Sequence, residues 1–165
     1  MMNILKWITR ILAFLTIVCF SGVIVIVMVQ ILSRYFPYSY VWTEELTRYL
    51  FLYGICFGAP LALLRNEYIN VDVIIGRFSE KVRRYYDVGI NFTILILSAI
   101  MVKEGYAFIQ LGKSQASATM PFQMSVIHAG IFIMSLFLFL FSLVRIGFLL
   151  SNKKNDYEVE GGGEI

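Results

Sequence analysis

The chain has little with which to carry out covalent or metal chemistry. Histidine occurs once, at His128, so two imidazoles cannot clasp a haem within this chain and a histidine-rich metal site lacks ligands. Cysteine occurs twice, and Cys19 and Cys56 each sit inside an apolar run and form no CxxC. They read as small core residues rather than a redox pair. No serine or cysteine is paired with histidine, and no glycine-rich phosphate loop is present, which leaves no support for an enzyme or a bound cofactor. Charge is also scarce, at 15% of residues with a net +3. No basic cluster is interleaved with stacking aromatics, so nucleic acid is excluded as a partner.

What is present is apolar sequence. Hydrophobic residues make up 59% of the 165, and the mean hydropathy of +0.75 lies far above that of a soluble globular protein. The expected fold class is an all-α integral membrane protein, one domain over 1–165 with the lipid bilayer as its solvent. The first apolar run, Ile11 to Leu32, holds 22 uncharged residues behind Lys6 and Arg10. It is too long for a signal peptide and has no A-x-A cleavage site, so it reads as a retained helix over about 11–33. Arg34, Tyr35, Phe36 and Pro37 end it, with aromatics at interface depth and proline as the stop. Helices at about 42–64, 80–111 and 124–150 complete a four-helix plan. Ser79 is placed to cap the third. The basic stretch from Arg65 to Arg84 is too short to span and reads as a segment lying in the headgroup layer, with an ordinary loop as the alternative. The polar, glycine-rich tail, 151–165, has the composition of a disordered segment.

Trp42 to Asp72 organises the rest. Between Arg48 and Arg65 lie 16 uncharged residues, short of the roughly 20 that a helix needs to cross a bilayer core. The second helix must therefore take in Arg48 and Glu45 at its leading end. Glu44 and Arg48 are four apart and share a face, whereas Glu45 points about 100° away, with Arg34 as the nearest other cation. Both acids suit the positive end of the helix dipole. These charges serve either to pair the first two helices or to dock another protein. Gly54 and Gly58 form a GxxxG for close packing of a further helix, and Pro60 removes a backbone donor near Cys56. The third helix is uncharged only from Val88 to Val102, so Lys103 and Glu104 must lie near an interface or face protein. Arg145 is placed to snorkel.

Lysine and arginine divide ten to four. Lys6, Arg10, Arg65, Arg77, Lys81, Arg83, Arg84, Arg145, Lys153 and Lys154 fall on one side, against Arg34, Arg48, Lys103 and Lys113. The positive-inside rule then puts both termini in the cytoplasm. A self-sufficient homo-oligomeric transporter or channel needs polar groups on a shared pore face. Thr16, Ser21, Thr93 and Ser98 are sparse, and such hydroxyls usually bond their own backbone. Small four-helix drug exporters place an acid at mid-membrane, whereas the Glu44–Glu45 pair sits at a helix end.

Three runs, QILSRYF, WTEELTRYLF and GAPLALLRNEYINVD, resemble the small membrane subunit of tripartite ATP-independent periplasmic (TRAP) transporters, the Q-type or DctQ family. The matching pattern is Trp42, the Glu44–Glu45 pair and Arg48, then Gly58-Ala59, Arg65 and Asp72. Tyr68 departs from it, standing where family members often carry histidine, so a histidine-dependent role there does not carry over. The resemblance implies a non-catalytic, multi-pass subunit of the bacterial inner membrane. It would support the fixed scaffold of a larger multi-helix subunit that moves substrate by a sodium-driven elevator motion. A periplasmic substrate-binding protein would deliver an organic acid of the C4-dicarboxylate or sialic acid class. Arg34, Trp42, Glu44, Glu45, Arg48, Arg65 and Asp72 are the candidates for helix pairing or docking.

Overall fold

The computed structural model describes residues 2–35, 41–65 and 80–150. The interfacial segment expected after Arg65, Asp72, the cap at Ser79 and the tail from 151 fall outside these residues. Four helices account for most of the described chain: α1 (Met2–Ser33), α2 (Trp42–Arg65), α3 (Glu80–Gly112) and α4 (Ser125–Leu150). Each contains a stretch long and apolar enough to cross a membrane. The all-helical class and the four spans are as the apolar runs imply. The first helix is longer than its apolar run, beginning at Met2 instead of near Ile11. At about 1.5 Å per residue its 32 residues reach ~48 Å, so α1 outreaches a hydrocarbon core of about 30 Å.

The helices pack in the order α1, α2, α4, α3, with α2 and α4 as the inner pair. Small residues decide the close approaches. A methyl group added at Gly54 would lie 3.1 Å from the Phe20 ring, one at Gly58 3.4 Å from Thr16, and one at Gly22 3.2 Å from Leu50. The GxxxG of α2 is therefore filled by the chain's own α1. Gly130 of α4 receives Tyr53 and Cys56 of α2 in the same way. Pro60 lies buried inside α2, where it leaves the Cys56 carbonyl without its usual amide donor.

At the end of the bundle near the chain termini, Leu12, Leu63 and Phe141 form the buried apolar cluster. Phe57, Ile94 and Phe137 pack around it. Polar ties hold α4 to both neighbours. Ser142 donates to the Asn91 carbonyl at 2.7 Å. Arg145, 5% exposed, donates to the Leu63 carbonyl in the last turn of α2. The guanidinium thus does not snorkel. It turns inward because the last-turn carbonyls of α2 lack helical donors and carry the negative end of the dipole.

Candidate functional site

The polar end of α2 is built around Glu45. Trp42 opens the helix, Thr43 is buried, and Glu44 and Glu45 occupy the first turn. One helical step separates the two acids, and it gives them different surroundings. Glu44 faces outward and meets Arg48 at 4.0 Å, with both side chains more than 60% exposed. That pair lies within one helix and joins it to no other described element. Exposed i,i+4 pairs are worth about 0.3–0.5 kcal/mol, so it contributes little.

Glu45 instead reaches across to the connection between α3 and α4. Residues 113–124 form a small hairpin, with an isolated antiparallel bridge between Ala116 and Gln123. The Ser117 amide donates to the Phe122 carbonyl at 3.0 Å, and the Met124 amide to the Gln115 carbonyl at 2.9 Å. The hairpin tip leaves backbone donors pointing inward, and the Glu45 carboxylate collects them. Its Oε2 accepts from the Thr119 amide at 2.8 Å and from the Thr119 hydroxyl, and its Oε1 accepts from the Ala118 amide at 3.3 Å. The Ser117 and Tyr49 hydroxyls donate to Oε1 as well. Hydrogen bonds to an ionised acceptor are roughly twice as strong as neutral ones, so five donors make a latch between α2 and the hairpin.

Two tyrosines one turn apart extend the latch. Tyr49 packs its ring on Phe122 with centroids 5.6 Å apart and approaches Met124 Sδ at 3.3 Å. Tyr53 donates to the Val126 carbonyl in the first turn of α4. Below the hairpin, His128 is buried, stacks on Phe108 at 3.7 Å, and its Nδ1 lies 2.9 Å from the Phe108 carbonyl. The single histidine thus helps to hold α3 to α4. Its neighbour Gly112 is required by space. A methyl group there would lie 2.5 Å from His128 Nδ1 and 2.6 Å from the Ser125 nitrogen.

Of the charged residues singled out in the sequence, α2 therefore brings Glu44 and Arg48 together and sends Glu45 elsewhere. Arg34, in the turn just past α1, is exposed and is not among the groups around Glu45. Only the place of Arg65 at the end of α2 is described. The partners of Glu45 were missed because Ser117 and Thr119 lie more than 70 positions away in an unpatterned polar loop. Tyr49, four residues after Glu45 on the same face, was the one local signal. Among the described residues no group of three His, Cys, Asp or Glu side chains is placed to hold a metal ion. Chemically, the arrangement can position backbone and present a charged rim.

The chain matches the family model described as "Tripartite ATP-independent periplasmic transporters, DctQ component" over residues 23–151. It is 30% identical over 121 residues to a putative TRAP transporter small permease protein of Haemophilus influenzae, covering 73% of this chain and 72% of that protein. It is 26% identical over 102 residues to the sialic acid TRAP transporter permease protein SiaT of Haemophilus influenzae, covering 61% of this chain and 17% of that protein. A sialic acid TRAP transporter small permease protein, SiaQ of Vibrio cholerae, is 28% identical over 69 residues, covering 42% of this chain and 40% of that one. The chain thus spans less than two thirds of the length of the SiaT and SiaQ relatives it matches.

Proposed function

Because this chain belongs to the DctQ family of TRAP transporter components, a membrane part of a transporter and not an enzyme, we propose that it is the small permease subunit of a binding-protein-dependent secondary transporter in the bacterial inner membrane. In this reading it widens and anchors the fixed scaffold of a larger multi-helix subunit, which moves an organic acid by an elevator motion driven by sodium. Sialic acids are favoured by the names of two relatives, with C4-dicarboxylates as the other candidate class. The carrying observation is the family match from residue 23 to 151, which takes in the last third of α1 and all of α2, α3, the hairpin and α4.

The physical character of the bundle supports a static role. Thr16, Thr93 and Ser98 all donate to carbonyls of their own helices, at 2.8, 3.0 and 3.0 Å. They are therefore not free to line a conduction path, which weighs against a self-sufficient channel. The Glu45 latch holds one end of α2 to the hairpin that leads into α4, and the Arg145 tie holds α4 to the other end of α2, as suits a scaffold against which another body moves.

The test is reconstitution. The chain, the large permease subunit and the binding protein together should take up sialic acid or a C4-dicarboxylate into liposomes under an imposed sodium gradient, and the chain alone should not. Sodium-driven uptake by the isolated chain would overturn the reading.

A further inference from the structure

Depth along the bundle follows from the helix contacts. Gly112 abuts Ser125 and His128 at the hairpin end, and two turns further in a methyl group at Gly105 would lie 3.4 Å from the Phe132 Cα. Glu104 is therefore level with Phe132 and Ile133, about 12 Å from the end of α3. The uncharged stretch of α4, Ser125 to Val144, is 20 residues long, or about 30 Å, the thickness of a bilayer core. Glu104 falls close to its middle. The other contacts agree. Gly130 meets Cys56, and Gly58 meets Thr16, which lies within the uncharged run of α1.

At this depth the Glu104 side chain is exposed, not turned into the bundle. Its neighbour Lys103 points about 100° away around α3, and the ion pair found among the described residues is that of Glu44 with Arg48. Beside Glu104 lies an apolar cleft of about 550 Å³, lined also by Met101, Ala107, Phe108, Leu111 and Ile131. A carboxylate against lipid tails near the bilayer centre is strongly disfavoured, and a glutamate is too short to reach the headgroups from there. Acids within a membrane face protein or water instead.

The geometry points to this face of α3 as the contact with the large permease subunit. The cleft takes a transmembrane helix of that subunit, and Glu104 accepts from a cationic or hydrogen-bond-donating side chain on it at mid-depth. This rests on the subunit reading above and names the face that the reading leaves open. Charge selects α3 over α1. The exposed flank of α1, with Phe14, Ile17, Ile24 and Val25, is apolar and compatible with lipid. In the SiaT relative the matched stretch is 17% of the chain, so the matched part is joined there to a much longer permease.

The test uses the full chain co-expressed with its large subunit. A photo-crosslinking amino acid at Ala107 or Leu111 should give adducts with the large subunit, and one at Ile17 or Val25 should not. Adducts confined to the α1 positions would overturn the proposal. Glu104→Leu should cut the recovered complex by about tenfold while leaving the thermal stability of the isolated chain unchanged or higher, since leucine suits a lipid-facing site. Glu104→Gln, which keeps an acceptor, should fall between. Wild-type recovery of the complex with Glu104→Leu would also overturn it. Failure of the unmodified chain to co-purify with any large subunit would overturn the subunit reading together with this one.

Discussion

Two acids adjacent in sequence illustrate how far one helical step changes a residue's work. Glu44 pairs with Arg48 on an exposed face, whereas Glu45 gathers five donors from Tyr49 and the hairpin tip. Glu45→Gln removes the charge and turns one acceptor oxygen into an NH2 donor, so the bonds at one oxygen are lost and those at the other weakened. Amide exchange at Ala118 and Thr119 in the purified protein should then become faster by about tenfold or more. Glu44→Gln should leave it unchanged, and equal effects from the two would show that the latch does not hold the hairpin. Arg145 is a second site where a single side chain joins elements. Arg145→Ala leaves the Leu63 carbonyl buried without that donor, and the expected loss is about 2–3 kcal/mol. Thermal unfolding in detergent measures it, and Arg145→Lys should recover part of the loss.

At the scale of elements, α4 is the keystone, since it packs on both α2 and α3. The tight turn from α3 into the hairpin depends on Gly112, whose missing side chain admits His128 and the start of α4. Gly112→Ala forces that junction apart and should cost about 1–3 kcal/mol, as overpacking of a tight contact does. Gly89 and Gly147 lie in open space, with nothing within 4 Å of an added methyl. Gly89→Ala should therefore be neutral or slightly stabilising, because alanine is the better helix former. The same unfolding assay on both variants separates a spatial requirement from helix propensity. The α1–α2 seam follows the same logic, and there the GxxxG at Gly54 and Gly58 is already filled by Phe20 and Thr16. A partner helix has to dock elsewhere.

For the whole molecule, the distribution of lysine and arginine predicts orientation. With ten of the fourteen assigned by the sequence to the side of the two termini, the positive-inside rule predicts cytoplasmic termini and a 113–124 hairpin on the opposite face. A cysteine placed at Ser114, which is exposed, in a Cys19/Cys56-free background should react with a membrane-impermeant maleimide added to the periplasmic side. Labelling only from the cytoplasmic side would invert the topology. In the proposed transporter, this orientation presents the Glu44–Arg48 rim and the hairpin to the compartment from which a binding protein approaches. A rim contact of this kind governs association rate and its salt dependence more than final affinity. Arg48→Gln should accordingly alter the salt dependence of uptake while leaving the complex assembled.

Number and kind of helices were determined by the amino-acid sequence itself. Four long apolar runs, those of α2 and α3 completed by charged residues, read as membrane helices, because each must satisfy its backbone within a helix once water is gone. The near ends of α2, α3 and α4 were legible within a residue or two, because Trp42, Gly112 and Ser125 flank abrupt changes in polarity. Glu44 with Arg48 was legible too, being a matter of helical periodicity alone. The tertiary structure alone decided the order α1, α2, α4, α3, since lipid-exposed and helix-facing residues are equally apolar and hydropathy cannot tell them apart. It also decided the fates of three charges. Glu45 found its donors in a hairpin more than 70 residues away, and Arg145 found a carbonyl at the end of another helix instead of the headgroups. Glu104 was left on an outer face at mid-depth. For Glu45 and Arg145 the outcome depends on which backbone groups lack partners nearby, and for Glu104 on which face of α3 the other helices leave uncovered; both are properties of packed helices rather than of any local run of residues.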